Sequence, residues 1–280
     1  MESISKIADK RGLYVIEDCA HALGASFNGS PAGSLGHVAY FSTDHSKVIS
    51  TSTGGVITTS DPEIAAKIRE AQRVTPFLAP KSIRAILWTF IIEYALSHPR
   101  LFSAGSLIHA KLSAHRRFFY FYDERLTVKP PKYPYPARLS NAQAKIGISQ
   151  LERLHENLAF RRALALLYDN EIKAYGKAVK GDFSSSTFLF YTFLVRDRQA
   201  WKEHLSPVLN MSVSFTGLRE GLECNLHEVG FQEGSCPMAE EVVKHCINLP
   251  THPRLRYPKT LLALLKDARK DGQERLELLV

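Results

Sequence analysis

The sequence predicts an α/β fold, and three observations carry that reading. Short apolar runs end in polar or acidic residues, as where Leu13-Tyr14-Val15-Ile16 gives way to Glu17 and Asp18. Amphipathic stretches opened by helix-capping residues follow these runs, the clearest starting at Ser140. A second group of strand-like and helix-like segments then fills the C-terminal third. With 45% hydrophobic residues, 280 residues can bury the core of one or two domains.

In chain order, residues 4–12 read as the end of an amphipathic helix that feeds the first strand. Leu13-Tyr14-Val15-Ile16 reads as a buried parallel strand that delivers two carboxylates to the carboxyl edge of a sheet, where α/β proteins bind ligands. Val38-Ala39-Tyr40-Phe41 is a second strand, ending in Ser42-Thr43. A polar loop follows and carries Lys47. After the Gly54-Gly55 turn, Val56-Ile57-Thr58-Thr59 is a third strand. Asp61-Pro62-Glu63 opens a helix, with Asp as cap, Pro in the first turn and an acid near the positive end. Ile64, Ala65, Ile68 and Ala71 are its expected buried stripe.

Residues 73–138 form a separate compositional block. Eleven Lys/Arg stand there against three Asp/Glu, enough to account for the whole formal charge of +8. The block also holds the apolar run Ala85-Ile86-Leu87-Trp88-Thr89-Phe90-Ile91-Ile92 and the aromatic cluster Phe118-Phe119-Tyr120-Phe121-Tyr122. Two uses fit residues 83–122: peripheral contact with an anionic membrane, or an apolar face packed on the body or a partner subunit. No nucleic-acid motif accompanies the charge, so that partner class is set aside. Pro130-Pro131, Pro134 and Pro136 then read as an extended connector.

From Ser140 the spacing of Ile146, Leu151, Leu154, Leu158, Ala165 and Tyr168 predicts one long helix over 140–172, its glutamines at the surface or in contacts. A small α/β domain follows: a strand over 188–195, a helix over 200–205, a strand over 211–215, a helix opening at Cys236, and a last helix over 259–265 with a charged tail. The expected organisation is residues 1–72, residues 73–138 as a basic helical insertion with its connector, and residues 139–280. Neither an internal repeat nor a low-complexity tract is present.

No charged-then-apolar segment opens the sequence and no run reaches the length of a membrane span, which sets the expectation of a cytoplasmic chain, with membrane-peripheral contact kept open. Cys19, Cys224, Cys236 and Cys246 show neither C-x-x-C pairing nor zinc spacing and read as reduced, buried thiols. His227 and His252 read as structural histidines.

The first 60 residues place an acid, a hydroxyl and a lysine on successive strand ends and loops. An aspartate at a strand end can pair with a protonated ring nitrogen, and a lysine in a pocket can form a Schiff base with an aldehyde. Those are the minimal requirements for pyridoxal 5'-phosphate chemistry. The lysine acts as nucleophile or base only when neutral, and burial moves its pKa in that direction.

The combination Ile16-Glu17-Asp18-Cys19-Ala20-His21, Gly33-Ser34-Leu35-Gly36, Phe41-Ser42, Lys47 and Gly54-Gly55 resembles the DegT/DnrJ/StrS family of pyridoxal-phosphate-dependent nucleotide-sugar aminotransferases. The stretch after Ser140 is similar to the family's L-x-x-x-Q-A-x-x-G-x-x-Q-L segment, and 247–253 resembles its S-L-P-x-H-P segment. The resemblance implies a partial fold type I large domain, with a mixed, mostly parallel sheet and helices, plus a small C-terminal α/β domain. It implies that Asp18 pairs with the pyridine nitrogen, His21 contacts the ring hydroxyl edge, Ser42 binds phosphate and Lys47 is the Schiff-base lysine. Lys47 lies six residues after Phe41, the family spacing, and family dehydratases carry histidine there, so transamination is expected. Thr43-Asp44-His45 and Ser52-Thr53 depart from the family pattern; Gly-Glu is common in place of Ser52-Thr53.

In that family a substantial part of the large domain, with a phosphate-binding loop and an aromatic ring that stacks on the cofactor, precedes the position of residue 1. The expectation is therefore a chain holding the Schiff-base half of a site. It would transaminate a nucleotide-linked keto sugar, with glutamate as amino donor and a homodimer as the family assembly. The other reading is a catalytically incomplete or split chain that serves as an assembly partner, in reach of a membrane.

Overall fold

The computed structural model describes residues 1–96, 136–172, 182–206, 208–209, 230–255 and 258–267. Seven strands and eight helices are placed among them. In order these are α1 (Glu2–Arg11), β1 (Ile16–Asp18), β2 (Ser26–Phe27), β3 (Ser30–Pro31), β4 (Val38–Ser42), β5 (Gly55–Thr58), α2 (Pro62–Val74) and α3 (Pro80–Leu96). There follow α4 (Asn141–Leu151), α5 (Leu154–Ile172), β6 (Phe190–Leu194), α6 (Arg198–Leu205), α7 (Pro237–His245), β7 (Cys246–Pro250) and α8 (Pro258–Asp267). The aromatic cluster 118–122, the prolines at 130, 131 and 134, the expected strand 211–215, Cys224, His227 and the tail lie outside the described residues.

The chain forms two compact units. The first collects β1–β5, α1–α4, α5 as far as Arg162, and Asp182–Leu189. Its sheet has the order β1-β4-β5. β1 runs parallel to β4 with Ile16 opposite Val38 and Asp18 opposite Tyr40. β5 runs antiparallel to β4, with Ser42 opposite Gly55.

The first strand departs from expectation. It begins at Ile16, so both carboxylates belong to it, and the apolar run that leads into it is not buried: Tyr14, ahead of the strand, is 73% exposed and Ile16 65%. Among the described residues the ladder partner of β1 is β4. Inward burial falls to Glu17, whose carboxylate accepts backbone N–H bonds from Gly33 (3.0 Å), Leu35 (2.7 Å) and Gly36 (2.7 Å). Three charge-assisted bonds satisfy the buried acid and pin the 33–36 turn beside the strand end. Gly33 permits this because it has φ +88° and its missing Cβ would lie 2.5 Å from the Phe41 ring.

α2 starts where the sequence predicts. Asp61 accepts from the N–H groups of Glu63 (2.8 Å) and Ile64 (3.0 Å), and Pro62 occupies the first turn. Its stripe is only half-buried at Ile64, Ala65 and Ile68, and Ala71 is exposed. α3 buries Ile86 and Thr89 and leaves Trp88, Ile91 and Tyr94 outside. Among the described residues no helix is long and apolar enough to cross a membrane.

The long helix is two helices. After Leu151 the chain tightens into a turn in which Arg153 N–H bonds the Gln150 carbonyl at 3.2 Å, an i→i−3 bond that needs neither Gly nor Pro. Leu151, on the expected apolar stripe, is 45% exposed at this break. Ser140 and Gln143 form a capping box at the start of α4.

The second unit takes α5 from Ala163, together with β6, β7 and α6–α8. β6 and β7 pair antiparallel from Phe190 opposite Pro250 to Leu194 opposite Cys246. Phe193, Trp201, Leu205, Ile247, Leu249, Leu261 and Leu265 form its core, with the Trp201 ring edge-on to Phe193. The Tyr168 hydroxyl donates to the Pro250 carbonyl (3.0 Å) and that of Tyr191 to Asp169 (3.0 Å), so both buried phenols are satisfied. Of the described cysteines Cys19 is buried as expected, Cys246 is only half-buried, and Cys236 is exposed because it sits at the open start of α7.

Candidate active site

The parallel pairing of β1 with β4 sets Asp18 and Ser42 at the carboxyl ends of neighbouring strands. Asp18 points out of the sheet where Glu17 points in, the two-residue alternation of a strand. Interaction with the Tyr40 hydroxyl, then a 3.0 Å bond from Ala20 N–H, holds its carboxyl below the usual carboxylate range. The charges on His21 and Lys47 act in the same direction. Asp18 is thus an exposed, firmly ionised carboxylate at the open end of a strand.

Lys47 lies in a loop closed at its base by Thr43 N–H to the Gly54 carbonyl (3.0 Å) and Thr51 N–H to the Thr43 carbonyl (2.8 Å). The Thr43 and Thr51 hydroxyls share a 2.6 Å hydrogen bond inside it. Lys47 N–H bonds the Asp44 carbonyl (3.1 Å), and Asp44 N–H makes a long 3.4 Å contact with Ser42 Oγ, which ties the loop to the end of β4. Asp44 also hydrogen-bonds His45.

Lys47 Nζ lies 2.7 Å from His21 Nε2. Burial pulls the Lys47 amine below the usual lysine range, against the opposite pull of Asp44 and Asp18. Burial, then the Lys47 charge, lowers His21 as well. His21 is therefore neutral at pH 7, its Nε2 accepts from the ammonium, and its own proton belongs on Nδ1.

The structure brings Asp18, His21 and Lys47 into one electrostatic group and joins Ser42 to it through Asp44. Three further contributors, Tyr40, Gln143 and Gln150, are residues to which the sequence reading gave no role in the site. Tyr40 sits opposite Asp18 in the strand register, a position visible only once the pairing is known. Gln143 and Gln150 hold the back of the lysine loop. Gln143 is 2% exposed and donates to the Thr51 and Thr53 carbonyls, both at 3.1 Å. Gln150 accepts from Ser50 N–H (3.0 Å) and donates to the Ser50 carbonyl (2.7 Å). Gly147 lies between them, where a Cβ would press on Thr51 Cγ2 at 3.1 Å.

The model of the DegT/DnrJ/EryC1/StrS aminotransferase family matches residues 1–83 and 108–260. The chain belongs to this family. It is 30% identical over 200 residues to the GDP-perosamine synthase of Caulobacter vibrioides, covering 70% of this chain and 41% of that protein. It is 23% identical over 227 residues to a Campylobacter jejuni protein named UDP-4-amino-4,6-dideoxy-N-acetyl-beta-L-altrosamine transaminase, covering 81% and 46%. The chain thus spans less than half the length of these two relatives.

Among solved structures, the aminotransferase from Psychrobacter cryohalolentis superposes with a TM-score of 0.62 at 20% identity, over 96% of this chain and 65% of that one. An E. coli GDP-4-keto-6-deoxy-D-mannose-3-dehydratase with bound hydrated PLP gives 0.59 at 19%, over 95% and 62%. These likenesses show the fold, the α/β fold type I of pyridoxal-phosphate aminotransferases.

Proposed function

We propose that this chain carries the lysine side of a pyridoxal-phosphate aminotransferase site that acts on a keto sugar linked to a nucleotide. The observation that carries the proposal is the half-buried Lys47, 2.7 Å from a neutral His21 and in the field of the ionised Asp18. Pyridoxal phosphate, when bound, supplies an aldehyde that condenses with amines and a ring that withdraws electrons.

The donor set fits that group. Asp18, ionised and exposed at a strand end, is suited to a protonated ring nitrogen. His21 stands beside it for the ring hydroxyl edge, and Ser42 Oγ for a phosphate oxygen. Lys47 is the one amine in the group, and burial makes its neutral form accessible closer to physiological pH. In that form Lys47 takes the proton from the substrate carbon and returns it one position away, as a general base and then a general acid. Asp18 keeps its negative charge throughout and stabilises the electron-accepting state.

The names of the two relatives support a nucleotide-linked sugar as the amino acceptor. Glutamate as donor and a homodimer complete the proposal. So does a docking face within 83–122, for a partner subunit or a membrane surface, supported by the exposed Trp88, Ile91 and Tyr94.

The test is release of 2-oxoglutarate from glutamate by the full chain with added pyridoxal phosphate. About one equivalent per chain is expected without sugar, and continued turnover with a nucleotide-linked keto sugar. Lys47→Ala should lower the release at least ~10³-fold, the scale at which loss of a catalytic base shows. No release from the chain alone, and none above the partner's own when a full-length family member is added, would contradict the transaminase reading.

A further inference from the structure

Three amide side chains spaced seven residues apart meet the backbone of the lysine loop in order. Gln143 bonds Thr51 and Thr53, Gln150 bonds Ser50, and Asn157 Nδ2 donates to the Val48 carbonyl at 3.0 Å. The last of these contacts is one residue from Lys47. The spacing of two helical turns survives the break between α4 and α5, so the ladder descends the loop in register with it.

The chemistry of the rungs is specific. Ser50 offers a donor and an acceptor to one side chain, and an amide is the neutral group that answers both. A carboxylate at 150 would set oxygen against the Ser50 carbonyl. Asn157 is keyed as well: Arg161 Nε donates to its Oδ1 at 2.8 Å, so Nδ2 must be the end that faces Val48. Arg161 is itself buried and anchored on the Leu189 carbonyl at 3.2 Å.

Val48 and Ile49 are buried, so the backbone on the C-terminal side of Lys47 is held by packing below and amides behind. A lysine on four rotatable bonds carries any backbone shift to its Nζ, and a misplacement of ~1 Å can cost ~10²-fold in rate. We infer that the ladder Gln143–Gln150–Asn157, keyed by Arg161, is a positioning device for Lys47 that fixes where its amine is held against His21. The inference rests on the reading of Lys47 as the reacting amine.

The test is trace labelling of the full, cofactor-free chain with acetic anhydride over a pH series, with Lys47 read against the exposed Lys67 in the same digests. Asn157→Asp keeps the acceptor for Arg161 and sets a carboxylate oxygen against the Val48 carbonyl in place of the donor, with the added charge paired to Arg161. Gln150→Leu removes a whole rung. In both variants the labelling of Lys47 relative to Lys67 is expected to change about three- to tenfold, the worth of one lost hydrogen bond. The pH midpoint of Lys47 labelling should rise as the amine moves into solvent. A Lys47 ratio and midpoint unchanged in Asn157→Asp would overturn the inference and leave the ladder a purely structural brace. If Gln150→Leu does not fold, Asn157→Asp decides alone. Adduct formation with pyridoxal phosphate does not enter this readout. Shifted labelling in a chain that forms no adduct would sink only the proposed function, and an adduct without shifted labelling would sink only the ladder.

Discussion

Glu17 and Asp18 are adjacent acids with opposite tasks, and strand alternation separates them. Glu17 is turned inward and holds three backbone N–H groups, so Glu17→Gln should cost about 2–3 kcal/mol in denaturant unfolding, because an amide nitrogen must then face an N–H. Unchanged stability would mean that water replaces those bonds without loss. Ser52 is strained: φ is +68°, and its buried Oγ finds no hydrogen-bond partner among the described residues. Ser52→Gly should therefore raise stability by about 1 kcal/mol, read as a higher denaturant midpoint, and a lower midpoint would refute the strain. His21 has its folded pKa depressed below 6.5, by burial first and Lys47 second. Its contribution to stability is therefore complete above about pH 6.5 and is lost as pH falls through the folded value. An NMR titration of the His21 ring should show a midpoint under that of a free imidazole, moved upward by Lys47→Ala. A midpoint that Lys47→Ala leaves in place would exclude the lysine charge as a cause.

The lysine loop and the α4 helix behave as one element. Gln143 caps α4 through Ser140 and also bonds two carbonyls of the loop, so Gln143→Leu should cost roughly 2–4 kcal/mol and release the loop amides to hydrogen exchange. Exchange confined to the helix start would show that capping alone is lost. This joint was not legible in the sequence. Strand ends with acids, a lysine at fixed spacing from Phe41, and the Asp61-Pro62 helix start are local patterns and could be read directly. A glutamine that bonds a carbonyl 90 residues away leaves no local trace, and its polar character suggests the surface or a contact without saying which contact. The break after Leu151 was also hidden, since the i→i−3 turn there uses neither Gly nor Pro. The Asn28-Gly29 pair at the tip of the β2–β3 hairpin, by contrast, was a readable signal that went unused.

At the scale of the molecule, all residues of the candidate site lie in the first unit: Asp18, His21, Ser42, Lys47 and the ladder behind them. The lysine side of the site is built from the β1–β4 pairing, one loop and one helix pair. The fold class was legible because strand-like runs and capped helices follow one another in the sequence. The exposure of the first strand was not, because an apolar run reads the same whether or not a neighbour covers it. Every role proposed for the site depends on Lys47 being the amine that meets the cofactor. The most direct measurement is borohydride reduction of the full chain incubated with pyridoxal phosphate, followed by peptide mapping. One reduced adduct is predicted, on Lys47, absent from Lys47→Ala and fading as pH falls and the amine takes up its proton. Labelling scattered over exposed lysines such as Lys6 and Lys67, with none favouring Lys47, would contradict it.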